Sequence, residues 1–198
     1  MTRSRFNSAY FDKWYRNPRH RVITPSIIAR KAQLALAMAE YYLGRPVRSA
    51  LDVGCGEGQW LPALKKLRPG ISYTGIDPSP YVIKRYGKRR NLIFGSFGDL
   101  PPLAPSYDLI ISSDSLYYVH EDELLSGLQK LLPRLTGVAF LEAYASDVPH
   151  AGDIAGMFPR SNAVYRRIFQ RVGLRSCGSH CYVGPSLYDQ VTEMERGR

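Results

Sequence analysis

Residues 51–58 read Leu-Asp-Val-Gly-Cys-Gly-Glu-Gly, and Asp77 follows in an Ile-Asp-Pro-Ser turn. Glycines at 54, 56 and 58 let the chain turn tightly against a ligand, and the Asp77 carboxylate can accept hydrogen bonds from two ribose hydroxyls. Asp52, two residues before the first glycine, is a poor neighbour for a pyrophosphate and a good one for an ammonium group. A dinucleotide turn, G-x-G-x-x-G, would need its third glycine where Gln59 stands. The residues therefore favour an adenosyl ligand over a dinucleotide.

The elements that must position these groups can be read from the same sequence. Ala50, Leu51 and Val53 belong to an apolar run that predicts a buried strand, and the stretch from Gln59-Trp60-Leu61-Pro62 to about Leu67 predicts the helix after it. A second strand runs from Ser72 to Ile76 and delivers Asp77 at its end. A helix through Val82 to Tyr86, a strand from Asn91 to Phe94 and a strand from Asp108 to Ile111 come next. Glu121 to Leu135 is amphipathic through Leu124, Leu125, Leu128, Leu131 and Leu132. Val138 to Leu141 is a fifth strand, Ala163 to Val172 a helix, and two late strands are expected at Leu174 to Val183 and Leu187 to Met194. Before the first strand, Thr24-Pro25-Ser26 to Leu43 has a capping residue, a proline at the first helical position and Gly44 as a stop. Strands separated by helices imply right-handed crossovers and a parallel sheet, with ligands beyond the carboxyl ends of the strands. No repeat and no low-complexity linker interrupts the pattern.

Four signals in order carry a family resemblance: Asp52 to Gly58 as D-x-G-x-G-x-G, Asp77, the segment Gly95-Ser96-Phe97-Gly98-Asp99-Leu100-Pro101, and the strand Tyr107-Asp108-Leu109-Ile110-Ile111. The chain resembles the class I S-adenosylmethionine-dependent methyltransferases of the small-molecule type, over nearly everything from Ser49 onward. The resemblance implies an α/β fold, a Rossmann-like doubly wound sheet of seven mostly parallel strands with the last antiparallel, under an N-terminal helical lid. It divides the chain into a lid and helix at 1–44 and a methyltransferase domain at 45–198. It implies S-adenosylmethionine as cofactor, S-adenosylhomocysteine as product, and a small-molecule acceptor methylated on oxygen or nitrogen. Asp52, Gly54, Cys55 and Gly56 would hold the methionine end, Asp77 with Pro78 the ribose, and Ser96 and Phe97 the adenine. The family often has aspartate where Ser96 stands; a hydroxyl can still accept from an adenine amino group, and the Phe97 N–H can serve a ring nitrogen. Asp99 reads as a structural cap, and Ser112 and Ser113 either as contacts to the methionine end or as ordinary turn chemistry. The run Tyr10 to Arg21 sets four aromatics among basic residues and looks like a lid; Tyr10, Trp14 and Arg21 are its expected contacts.

Methyl transfer to a small acceptor asks the protein for alignment and exclusion of water, and no nucleophilic residue. A hydroxyl acceptor usually needs a base, whereas an amine need only be neutral. His120, after the fourth strand, is one candidate base; Glu142, after the fifth, and His150, in the next loop, are its rivals. Tyr117, Tyr118 and Tyr144 could shape an acceptor pocket or simply pack the core.

The formal net charge is +10, from 27 basic and 17 acidic residues, concentrated in the first 31 residues and at Lys84, Arg85, Lys88, Arg89 and Arg90. Such a field attracts anions, so an acidic small acceptor, an acyl carrier, nucleic acid and a merely solvated surface are all open. A tRNA or rRNA methyltransferase, or a nucleic-acid binder, is the alternative reading. Against it, Ser112-Ser113-Asp114-Ser115 stands where base-amino methyltransferases carry Asn/Asp-Pro-Pro-aromatic, and no cysteine lies beside a proline there. No stretch approaches the ~18 apolar residues of a membrane span, and no apolar signal core follows the basic start, so a soluble cytoplasmic protein without membrane contact is expected. Cys177 and Cys181 lack a second pair of ligands, which argues for thiols and against a metal site.

Overall fold

The computed structural model describes residues 5–147 and 152–191. Its centre is a seven-stranded sheet made of β1 (Ser49–Val53), β2 (Ser72–Asp77), β3 (Leu92–Phe94), β4 (Tyr107–Ser113), β5 (Leu135–Glu142), β6 (Arg175–Gly178) and β7 (Cys181–Val183). The spatial order is β3-β2-β1-β4-β5-β7-β6. β1 to β5 are parallel, and β7 runs antiparallel to both of its neighbours. The order reverses at β1, which pairs β2 on one side and β4 on the other and so opens a crevice at its carboxyl end. This is the Rossmann-like doubly wound sheet that the family resemblance implied, its parallel part being what the alternation of strands and helices led one to expect.

Alternation along the strands explains why both faces are covered. Ala50, Leu109, Ile111, Val138 and Phe140 pack with α2 (Pro25–Leu43), α3 (Trp60–Leu67) and α4 (Pro80–Arg90). Leu51, Val53, Ile110, Ala139 and Leu141 pack on the other side with α5 (Glu121–Leu131) and α6 (Asn162–Arg171). A strand buried on both faces must be apolar at nearly every position, which is how β4 reads. Thr24 accepts a hydrogen bond from the Ile27 N–H at 3.3 Å to start α2, and Gly44, at φ 63°, ends it in the left-handed region.

Three expectations need correcting. The run Leu174 to Val183 is a hairpin, β6 and β7, broken where Ser179 and His180 take φ of 51° and 64°. Hairpin turns with positive φ at both central residues favour Asn-Gly, and Ser-His lacks that signature, so only Gly178 beside Ser179 hints at the break. The second expected strand, Leu187 to Met194, is a 3₁₀ turn over Pro185–Gln190 as far as it is described, with the rest outside the described residues. Likewise the helix expected to reach Leu135 stops at Leu131, because Pro133 turns the chain through a 3₁₀ segment, Leu132–Arg134, into β5.

Ahead of α2, the short helix α1 (Ser8–Phe11), capped by the Asn7 side chain, runs into a π-helical turn at Asp12–Arg16. There the Asn17 N–H reaches the Asp12 carbonyl at 2.9 Å, a five-residue step. Arg16 ties this segment to the glycine turn through Glu57 at 2.5 Å.

Candidate functional site

The turn between β1 and α3 lies against the end of β2. The Gly54 and Cys55 N–H groups both donate to the Ile76 carbonyl, at 2.8 and 3.0 Å. Gly54 and Gly56 take φ of 76° and 53°. A Cβ at Gly56 would sit 2.7 Å from the Tyr15 hydroxyl, so glycine there is what lets the N-terminal segment close onto the turn. Asp77 joins the two strand ends: one carboxylate oxygen accepts from the Gly56 N–H at 2.8 Å, the other from the Ser79 N–H at 2.9 Å. The Ser79 hydroxyl in turn accepts from the Val82 N–H and starts α4.

Burial without a cation decides the electrostatics of this corner. Burial pushes Asp77 up to about 6 against the pull of its two N–H donors. Burial also pushes Asp52 up to about 7; the Tyr73 hydroxyl, donating at 2.8 Å, pulls it back, and the charge of Asp77 adds to the rise. The Cys55 thiol, buried beside both carboxylates, is held well above its usual range and is no nucleophile.

A cavity of about 270 Å³ opens over the turn, walled by Phe6, Tyr10, Phe11, Tyr15, Val53, Gly54, Gly56, Asp77, Pro78, Ser96, Phe97, Asp114, Ser115, Tyr118, Val119 and Glu123. A smaller chamber of about 20 Å³ adjoins it, sharing Tyr15, Gly54 and Asp114 and adding Asp52, Cys55 and Ser113 among others. Of the residues singled out in the sequence, Tyr10, Asp52, Gly54, Cys55, Gly56, Asp77, Pro78, Ser96, Phe97 and Ser113 thus line one chamber or the other. A larger groove of about 730 Å³ lies between α6 and the strands β5 to β7, but no carboxylate and none of the expected residues lines it.

The remaining expected residues stand elsewhere. Trp14 lines neither chamber: Phe11 at the end of α1 and Tyr15 in the π-turn line the cavity instead, and the Trp14 ring packs on Lys13 and His20. Arg21 is exposed and lines neither chamber. Ser112 is fully buried, its hydroxyl 2.7 Å from that of Ser115, and acts as strand packing. His120 starts α5 at the surface, its side chain 57 % exposed and its ring edge-on to Phe158, so it does not face the cavity. Glu142 is buried but engaged, accepting from Lys31 at 2.5 Å and from the Ser113 hydroxyl at 2.6 Å. His150 lies outside the described residues. Among the described residues the exposed Asp99 carboxylate caps no helix; its backbone instead exchanges hydrogen bonds with Ser96.

The sequence pattern of a family described as a methyltransferase domain matches residues 19–188. The chain belongs to this family. Trans-aconitate 2-methyltransferase of Deinococcus radiodurans is 31% identical over 77 residues, which are 38% of this chain and 30% of that protein. The plantazolicin methyltransferase BpumL, solved in complex with S-adenosylhomocysteine, is 26% identical with a TM-score of 0.50, over 59% of this chain and 46% of that one. The chain therefore spans less than half the length of either relative. DesVI of Streptomyces venezuelae shares the fold more completely, with a TM-score of 0.62 over 81% of this chain and 91% of that one, at 17% identity.

The sequence pattern did not single out Phe6, Phe11 and Tyr15, which precede the match to this methyltransferase family, nor Lys31, Asp114, Ser115 and Glu123 within it. The aromatic run was visible, but which of its rings turn inward depends on the π-turn. Lys31 comes from the middle of α2 and meets β4 and β5 only in the folded chain.

Proposed function

We propose that this domain transfers a methyl group from S-adenosylmethionine to a nitrogen or oxygen atom of a small acceptor. The observation that carries the reading is the joint between β1 and β2, where a turn with glycines in left-handed conformation is clamped to a buried carboxylate with no cation beside it among the described residues. Each Asp77 oxygen accepts one backbone N–H and keeps lone pairs for ribose hydroxyls. Asp52, buried beside the smaller chamber, suits an ammonium group, and Gly54, Cys55 and Gly56 would lie along the methionine moiety. Ser96 and Phe97 would meet the adenine, with Pro78 on the ribose side. The residues present thus fit the cofactor. Bound there, S-adenosylmethionine would supply a methyl group on a positively charged sulfur, already activated for displacement.

The chain's own part is to orient and to keep water out. Phe6, Tyr10, Phe11 and Tyr15 form an aromatic wall from residues that precede the family match, and we assign that wall the role of the lid. Tyr10, Tyr15 and Tyr118 have hydroxyls that burial holds in the neutral form, as a dry site requires. Among the described residues no helix is long and apolar enough to cross a membrane.

Calorimetry with S-adenosylmethionine, S-adenosylhomocysteine and NAD tests the assignment; the first two are expected to bind and NAD is not. NAD binding without the sulfonium ligand would overturn it. The competing nucleic-acid reading draws on α4, where Arg85, Arg89 and Arg90 gather over the Tyr86 ring. Titration with mixed tRNA at two salt concentrations is expected to show no sub-micromolar binding at physiological salt.

A further inference from the structure

The charge around the cavity is one-sided. Asp77, Asp114 and Glu123 line the larger chamber, Asp52 and Asp114 the smaller, and no lysine or arginine lines either among the described residues. If Asp52 and Asp77 serve the cofactor, Asp114 is the carboxylate shared by both chambers that no cofactor role absorbs. Asp114 follows β4 with φ 58°, a conformation uncommon outside glycine and often met at functional sites. One of its oxygens accepts from Lys31 at 3.2 Å. The other, Oδ1, is buried and meets no donor at ordinary hydrogen-bond geometry among the described residues, the Tyr144 hydroxyl being the neighbour that interacts with this carboxylate from beyond β5. Lys31 cannot neutralise the group fully, because its nearest partner is Glu142 at 2.5 Å. Two carboxylates share one ammonium, and the surplus negative charge falls beside the cavity.

We infer that Asp114 is the acceptor-binding carboxylate and selects a nitrogen acceptor: an amine N–H donates to Oδ1, and the carboxylate takes the proton that the amine must lose before it is methylated. The inference rests on the methyl-transfer reading and runs against the acidic small acceptor that the basic surface left open. The step balances. An ammonium gives its proton to Asp114, and the freed nitrogen lone pair forms the new N–C bond. The C–S bond breaks with its electron pair left on sulfur, which becomes a neutral thioether. The proton on Asp114 passes to water when the product leaves.

Every titratable group near Asp114 is compatible with this role. Burial and the charge of Glu142 raise its affinity for a proton, while Lys31 and the Ser113 hydroxyl oppose them. Tyr15 from the π-turn, Tyr117 from the 3₁₀ segment after β4 and Tyr144 after β5 feel its charge and are all held neutral. A carboxylate raised in this way is a better base near neutral pH.

The test uses the protein saturated with S-adenosylhomocysteine and calorimetry with matched pairs: benzylamine and benzyl alcohol, 2-phenylethylamine and 2-phenylethanol, cyclohexylamine and cyclohexanol. At least one amine is expected to bind about tenfold or more tightly than its alcohol, as charge-assisted pairing allows. Asp114→Asn, which installs a residue that tolerates positive φ, is expected to erase that preference while leaving S-adenosylhomocysteine affinity within about threefold. The inference is overturned if no amine outbinds its alcohol, if Asp114→Asn keeps the preference, or if that variant loses S-adenosylhomocysteine, which would make Asp114 a cofactor ligand. Failure of the parent protein to bind S-adenosylhomocysteine at all would instead sink the methyl-transfer reading beneath it.

Discussion

Asp108 opens β4 at one end of the sheet, and Asp52 and Asp77 close β1 and β2 at the other; all three are at least 94 % buried, with exposures of 5 %, 1 % and 6 %. Their surroundings differ completely. Asp108 takes both guanidinium nitrogens of Arg45 at 2.8 Å, the Arg48 N–H at 2.8 Å and the Thr136 hydroxyl at 3.0 Å. Burial pushes its proton affinity up, but these donors outweigh it and hold the group below the ordinary carboxylate value. Asp52 and Asp77 have no cation beside them among the described residues and are pushed up to about 7 and about 6. A buried carboxylate whose partners are all internal is part of the frame; one left short of positive charge is a place where a ligand can supply it. The fold confines the second kind to the carboxyl ends of the strands.

The sharpest way to break this contrast is Asp108→Ala. It strands the Arg48 N–H and leaves the Thr136 hydroxyl only the Tyr107 carbonyl, and urea denaturation should show a loss of about 3 kcal/mol, near the low end for broken buried pairs because Arg45 is partly exposed. Asp77→Ala should do the opposite, leaving a folded protein whose affinity for S-adenosylhomocysteine falls by about 1.5–3 kcal/mol in calorimetry. Unchanged affinity would remove Asp77 from the site.

Asp52 makes the contrast depend on pH. Its folded-state value, about 7, lies above the ordinary 3.8, so the unliganded fold loses stability as pH rises from about 4 to about 7 and loses no more beyond it. Asp52→Asn should therefore be more stable than the parent at pH 8 by roughly 2 kcal/mol, with the difference vanishing near pH 4. A variant that is less stable at pH 8 would contradict the assignment of a raised value. Gly56→Ala is a smaller perturbation. It places a methyl group against the Tyr15 hydroxyl at positive φ and should cost roughly 1 kcal/mol of stability, read from the denaturation midpoint. Smallest of all, His120→Ala should change stability by less than about 0.5 kcal/mol and leave turnover as it was, since the side chain is solvent-exposed. A large loss of turnover would return His120 to the site.

Much of the frame was legible because it rests on local chemistry: Thr24 and Gly44 bound α2, apolar runs of strand length mark β1 and β4, and glycines with an aspartate mark the joint between β1 and β2. The hairpin at Gly178 to Cys181 was not, since two residues forced into the left-handed region, Ser179 and His180, carry no distinctive type. The residues proposed for the cofactor are close together in sequence, and most of them line the two chambers. The proposed acceptor side is assembled from α2 and the ends of β4 and β5, so Lys31, Asp114 and Glu142 become one cluster only after the crossovers bring them together. Strand alternation turned Ser112 into the core and Ser113 toward the cluster, a one-residue difference that the sequence leaves open until the register is known.

The five-residue turn at Asp12–Arg16 holds one residue more than an α-helical turn would need. Removing a single residue there would rotate the adjoining backbone by about 100°, trading the ring that faces the glycines for its neighbour. The wall of the cavity can thus be rewritten by a one-codon insertion or deletion, while the sheet and its carboxylates stay untouched. On the proposed reading of that wall as a lid, the turn sets which aromatic surface a bound ligand meets.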